Sequence, residues 1–88
     1  MTVTRTTQFK KDFKLISKRG YDTGLLFDVV GYVVRGERLP ERFRNHRLSG
    51  EYKDCWECHI KPDWLLIYRL EGETLQLVRT GTHADLFE

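Results

Sequence analysis

The hydrophobic and polar positions of this chain change period as they run. Residues 2–6 are short, β-branched and alternating, which predicts an opening strand. Thr6 or Thr7 then stands where a helix N-cap belongs. Phe9, Phe13 and Ile16 recur at i, i+4 and i+7, the stripe of an amphipathic helix. Lys10, Lys14 and Lys18 lie on another face of it, and Gly20 supplies the stop. Asp22 is placed to cap a second helix whose apolar side is Leu25, Leu26, Val29, Val30 and Val33, closed by Gly36. Two helices with so short a link predict an antiparallel hairpin.

The period is lost over residues 37–52, which hold Pro40, Gly50 and many charges. A long, partly ordered loop is expected there, and loops of that length are often functional. Period 2 then takes over. Strands are expected at about 54–60, 64–70 and 74–80, the last two joined by a turn at Glu71-Gly72-Glu73. In the first, Trp56, Cys58 and Ile60 share one face, and Cys55, Glu57 and His59 the other. In the last, Leu75, Leu77 and Arg79 alternate with Gln76, Val78 and Thr80. Pro62 has no N–H to give, so it breaks the ladder and leaves His59, Lys61 and Asp63 on a rigid edge. Residues 81–88 form a tail with His83 and Phe87.

The order strand, two helices, three strands predicts an α+β two-layer sandwich. Its N-terminal strand and helical hairpin pack on an antiparallel β-sheet whose other face is open for a ligand. The 88 residues form a single domain, 1–88. No apolar run approaches the roughly 20 residues of a membrane helix, and the N-terminal stretch has no apolar signal core. Two cysteines provide no disulfide framework. A cytoplasmic protein without membrane contact is expected. Net charge is +2, but residues 1–50 hold 11 Lys+Arg against 5 Asp+Glu, whereas residues 51–88 hold 4 against 8. The basic first half suits a polyanionic partner.

Cys55 and Cys58 have the C-x-x-C spacing of zinc or redox sites. Three apart on a strand, they point to opposite faces and cannot share a metal or a disulfide. All three histidines, His46, His59 and His83, lie in the second half. With Asp63 they offer a possible metal set, although Pro62 argues against the helix that would align His59 with Asp63. The better reading is acid–base chemistry, because histidine titrates near neutrality and a nearby carboxylate tunes it or acts as the base itself. RNA strand cleavage needs that equipment: a base for the 2′-hydroxyl, an acid for the leaving 5′-oxygen, and a cation for the charge building on phosphorus. Trp56, Trp64 and Phe87 are either core or stacking surfaces for unpaired bases. Core suits Trp56, and a site role suits Phe87.

Three separated segments sharpen this reading. NHRLSG at 45–50, CHIKPDWLLIY at 58–68 and RTGTHADLFE at 79–88, in that order behind a helix containing FKKDFK, together resemble the YafQ-type toxins of the RelE/ParE superfamily. The resemblance covers nearly the whole chain. It implies the RelE-like sandwich and an mRNA interferase that cuts translated mRNA in the ribosomal A site by 2′-hydroxyl attack, leaving a cyclic phosphate. It implies no cofactor, a DinJ- or RelB-like antitoxin as partner, and contact with promoter DNA only through the antitoxin complex. Carried over residue by residue, it points to His46, His59, Asp63 and His83 as catalytic, with Asp63 and His83 the proton-transfer pair, and to Trp64 and Phe87 as substrate contacts. Arg47 and Arg79 are candidates for phosphate, and the lysine ridge and loop arginines for ribosomal RNA. Which group is base and which acid stays open. Trp56 stands where the family would place an arginine, so no detailed phosphate scheme carries over. The rivals are a ParE-like toxin that binds gyrase without catalysis, and a metal-dependent nuclease.

Overall fold

Thr6 makes the first corner of the molecule, between strand β1 (Thr2–Arg5) and helix α1 (Thr7–Lys18). Its hydroxyl accepts from the Phe9 N–H at 2.9 Å and donates to the Val78 carbonyl at 2.7 Å. The cap, worth about 1 kcal/mol in such positions, therefore also ties the helix to the far end of the chain. Helix α1 closes on Gly20 at φ 81°, with Tyr21 N–H bonded to the Ile16 carbonyl and Gly20 N–H to that of Ser17. This double bond pattern suits a glycine in the left-handed region. Asp22 caps helix α2 (Thr23–Val34) through the Gly24 N–H at 3.0 Å.

The computed structural model describes residues 1–87. Beyond the hairpin come β2 (His46–Arg47), β3 (Trp56–Lys61), β4 (Trp64–Glu71), β5 (Thr74–Gly81) and α3 (His83–Phe87), with short 3-10 turns at Glu41–Phe43 and Gly50–Tyr52. The strands form one sheet in the order β1-β5-β4-β3-β2. From β3 to β5 it is antiparallel, as expected, and β2 adds to β3 in the same sense. Strand β1 departs from that expectation: it joins the edge parallel to β5, Val3 opposite Leu75, making the sheet mixed. The physical reason is the hairpin, which carries the chain across the sheet before β5 is laid down. The loop at 37–52 is more ordered than its sequence implies, because β2 pairs with β3. The expected tail is a helix over 83–87.

Helices α1 and α2 cover one face of the sheet. Phe9, Ile16, Leu26, Val29 and Val33 pack there against Cys58, Leu66, Tyr68, Leu75 and Leu77. A smaller cluster on the other face joins Cys55, Leu65, Ile67 and Leu86. Cys55 and Cys58 thus sit in different clusters as free thiols. Burial pushes the Cys58 thiol up to about 12, which leaves it inert at neutral pH.

One irregularity matters for the site. Between Ile67 and Tyr68 the partner on β5 steps from Arg79 to Leu77, so Val78 is an extra, bulged residue. Strict alternation would place Arg79 on the face of Leu75 and Leu77. The bulge takes it out of step, and its guanidinium closes instead on Asp12, with Nε donating to Oδ2 at 2.7 Å. Because β1 ends opposite Leu77, Thr80 N–H lacks a strand partner and donates to the same carboxylate at 3.2 Å.

Candidate active site

Three segments remote in sequence bring the histidines into a row. His59 and Glu57 are two apart on β3 and point the same way. Strand β2 pairs with β3 so that His46 lies opposite Glu57. The two-residue turn Pro62-Asp63, between Lys61 and Trp64, presents Asp63 to the start of α3, which carries His83. The rings of His46 and His59 are 6.3 Å apart, and those of His59 and His83 5.7 Å.

Asp63 and His83 form the tightest contact of the group. Asp63 Oδ1 accepts from the His83 backbone N–H at 2.9 Å and from its Nδ1 at 2.6 Å. Those hydrogen bonds, the backbone one first, hold the Asp63 carboxyl below the usual carboxylate range. A carboxylate accepts at Nδ1, so in the neutral ring the lone pair belongs to Nε2, and the side chain is 53% exposed. His46 is oriented differently: Nδ1 donates to the Arg44 carbonyl at 2.8 Å. Arg44 has φ 48°, and the same loop is pinned by Tyr68, whose hydroxyl donates to Asn45 Oδ1 at 2.7 Å.

Glu57 is the site residue that the sequence reading missed. It is 5% exposed, and its Oε1 lies 3.5 Å from Nε2 of both His46 and His59. At that distance the contact is ionic more than a good hydrogen bond, and it is attractive when the facing nitrogen carries a proton. The carboxylate thus links the two imidazoles through one buried oxygen. Alternation already put Glu57 on the face of His59; the pairing that sets His46 against it was the hidden part.

A capping box fixes the position of His83. Thr82 Oγ1 accepts from the Asp85 N–H at 3.1 Å, and Asp85 Oδ2 accepts from the Thr82 N–H at 2.9 Å. Arg19, at the C-terminus of α1, donates to both oxygens of Asp85 at 2.6 and 3.1 Å. Arg19, followed by the Thr82 groups, drives the Asp85 carboxyl far below its ordinary value. Gly81 is required by this close approach, since a Cβ there would sit 2.9 Å from the Asp85 side chain.

The family-level comparison agrees with this arrangement of elements: a model described as "Bacterial toxin of type II toxin-antitoxin system, YafQ" matches residues 1–88. The chain belongs to the YafQ family. It is 40% identical over 81 residues to the mRNA interferase toxin YafQ of Escherichia coli K12, covering 91% of this chain and 88% of that one. The crystal structure of YafQ from E. coli BL21(DE3) superposes with a TM-score of 0.93 at 36% identity, over 98% of this chain and 97% of that one. The E. coli DinJ-YafQ complex gives 0.91 at 37% identity, with the same coverage.

Within this YafQ fold, three of the expected substrate contacts are placed elsewhere. Trp64 is 2% exposed, edge-on to Tyr21, with its indole N–H donated to Thr80 Oγ1 at 2.9 Å. A ring so enclosed has no face for a base, and Trp64 is core. Arg47 pairs with Trp56, on the opposite face from His46 and Glu57, and lies over the Trp56 ring at 5.3 Å. Arg79 is taken up by Asp12 and by the Tyr52 hydroxyl at 3.3 Å. Phe87 keeps its expected exposure: it is 49% exposed and edge-on to Tyr52, one turn beyond His83 on α3. Among the described residues, no three histidine, cysteine or acidic side chains converge as a metal-ligand set.

Proposed function

We propose that this chain is a toxin enzyme that cuts mRNA on the translating ribosome, and that its own side chains move the protons. The observation that carries the reading is the Asp63–His83 pair. An exposed imidazole with Nδ1 engaged by a carboxylate keeps Nε2 to take a proton from a hydroxyl. His83 would accept the proton of the 2′-hydroxyl as it attacks phosphorus. His46 and His59, with Glu57 between them, would carry positive charge toward the phosphorane and return a proton to the leaving 5′-oxygen. The products are a 2′,3′-cyclic phosphate and a 5′-hydroxyl. Asp63 thus orients His83 rather than titrating itself. Phe87 is the aromatic available to a base.

The ribosomal A site supplies what an open row of histidines lacks, a substrate strand held in line. The basic ridge of Lys10, Lys14 and Lys18 is exposed for ribosomal RNA. The relatives named as mRNA interferases favour this reading over a gyrase poison, and the DinJ-YafQ complex supports an antitoxin of the same kind as the neutralising partner.

The test is primer extension on an mRNA under translation in a purified system, with wild type and His83→Ala side by side. In-frame cuts by the wild type are expected, absent without ribosomes and reduced by about 10²–10⁴-fold in the variant. Undiminished cutting by His83→Ala would remove the assignment. An intact message with wild type would turn attention to a supercoiling assay.

A further inference from the structure

Both arginines expected at the phosphate are engaged elsewhere, Arg79 by Asp12 and Arg47 on the far face of the sheet. The scissile phosphate nevertheless needs neighbours of opposite charge, because the RNA strand carries a phosphate at every nucleotide. The cations that do stand beside the histidines are three others. A cleft of about 720 Å³ opens along His59 and His83, between the 3-10 turn Glu41–Phe43 and the end of β3, and is lined by Arg42, Arg44 and Lys61. Among the described residues, no carboxylate lines it. Among the described residues, none of these three cations forms a salt bridge, whereas the arginines at 19, 35, 47, 69 and 79 all do.

We infer that this cleft is a subsite for an RNA backbone phosphate next to the scissile one, held by Arg42, Arg44 and Lys61. This rests on the RNA-cleaving reading of the histidine row. Three features favour a built subsite over a solvated basic edge. The Arg42 guanidinium lies 4.6 Å over the centre of the Phe43 ring, which limits the freedom that binding would otherwise remove. Phe43 in turn packs against Tyr32 at 6.2 Å. Arg44 lines the cleft and its carbonyl fixes His46, so one residue links the subsite to the row. Lys61 stands one residue before the Pro62-Asp63 turn that orients His83. A strand whose reacting phosphate lies on the histidines must continue past them, and this cleft offers its flanking phosphate a place where the two nearby acids, Asp63 and Glu57, are engaged by His83 and His59.

The test is steady-state cleavage of a translated mRNA in the purified system by wild type, Arg42→Gln, Lys61→Gln and the double variant. Arg44 is left in place because its backbone holds His46. Both substituted side chains are exposed, so unchanged melting temperatures are expected. KM should rise about tenfold for each lost charge-assisted contact, with kcat within a few-fold of wild type. Arg42→Lys should recover part of the loss. Binding to ribosomes that carry no mRNA should stay unchanged. Unaltered KM in the double variant, with wild type active, would overturn the subsite and leave the nuclease reading standing. So would weakened binding to the mRNA-free ribosome, which would assign the cations to ribosomal RNA, or unchanged cleavage with weakened antitoxin binding, which would assign them to the antitoxin. Wild type that leaves the message intact would instead bring down the nuclease reading and the subsite together.

Discussion

Asp63 Oδ1 receives both the backbone N–H and the ring Nδ1 of His83, at 2.9 and 2.6 Å. One oxygen therefore fixes where the residue starts its helix and how its ring is turned. The pair is exposed, so its value lies in orientation and not in stability. Asp63→Asn should lower kcat by about 10²–10⁴-fold at little cost in melting temperature, since the amide can turn its NH₂ to the ring and favour the wrong tautomer. The pH dependence follows from the sign of the Asp63 shift. A carboxyl held below its ordinary value, about 3.9, stays ionised from neutrality down past that value. Any loss of rate between neutrality and about pH 5 then comes from a group other than Asp63. Asp63→Asn should keep that limb and lower the plateau. A rate profile whose acid limb disappears in Asp63→Asn would make Asp63 the titrating base.

Arg19 and Asp85 form a second device, remote from the chemistry. They fasten the capping box of α3 to the end of α1. A five-residue helix cannot hold itself, so His83 depends on this clamp. Arg19→Gln should lower kcat several-fold while leaving KM and the pH profile of the remaining activity intact. The folded Asp85 carboxyl is lowered, so its stabilising contribution is complete above the unfolded value, about 3.9, and is lost as pH falls through the folded one. Thermal melts below pH 4 should therefore fall more steeply for wild type than for Arg19→Gln, and the two curves should converge.

Trp64 separates a core role from a binding role. Trp64→Phe removes the N–H that Thr80 accepts and leaves the ring volume only partly filled. A loss of about 1–3 kcal/mol is expected by denaturant melts. The cleavage rate per folded molecule should change little. A large rise in KM with stability unchanged would return Trp64 to the substrate.

The segments that carry local chemistry were legible. Thr6 and Asp22 cap the helices that their positions promised, and Gly20 ends the first. Pro62 and Asp63 make the turn between two strands, as a residue without an N–H must when it interrupts a ladder. The opposed faces of Cys55 and Cys58 followed from period 2 alone. The helix at 83–87 was less visible, because its box uses Asp85 where a longer acid is usual. The fate of Arg79 was not visible at all. A single extra residue in β5 moves it out of the alternation, and no sequence pattern marks Val78 as bulged.

By itself, the sequence determined the order of elements, the caps, the turns and the types of side chain available, since each depends on neighbours within a few residues. His59 and Asp63 on a proline-broken edge, with His46 and His83 on either side of them, were legible for the same reason. Only the tertiary structure decided which of these groups meet. The parallel docking of β1, the register of His46 on Glu57, and the closure of Arg19 on Asp85 across 66 residues are long-range events. Their free energy comes from burying a shared core and pairing sheet edges, and that energy belongs to the assembled fold and to no local pattern.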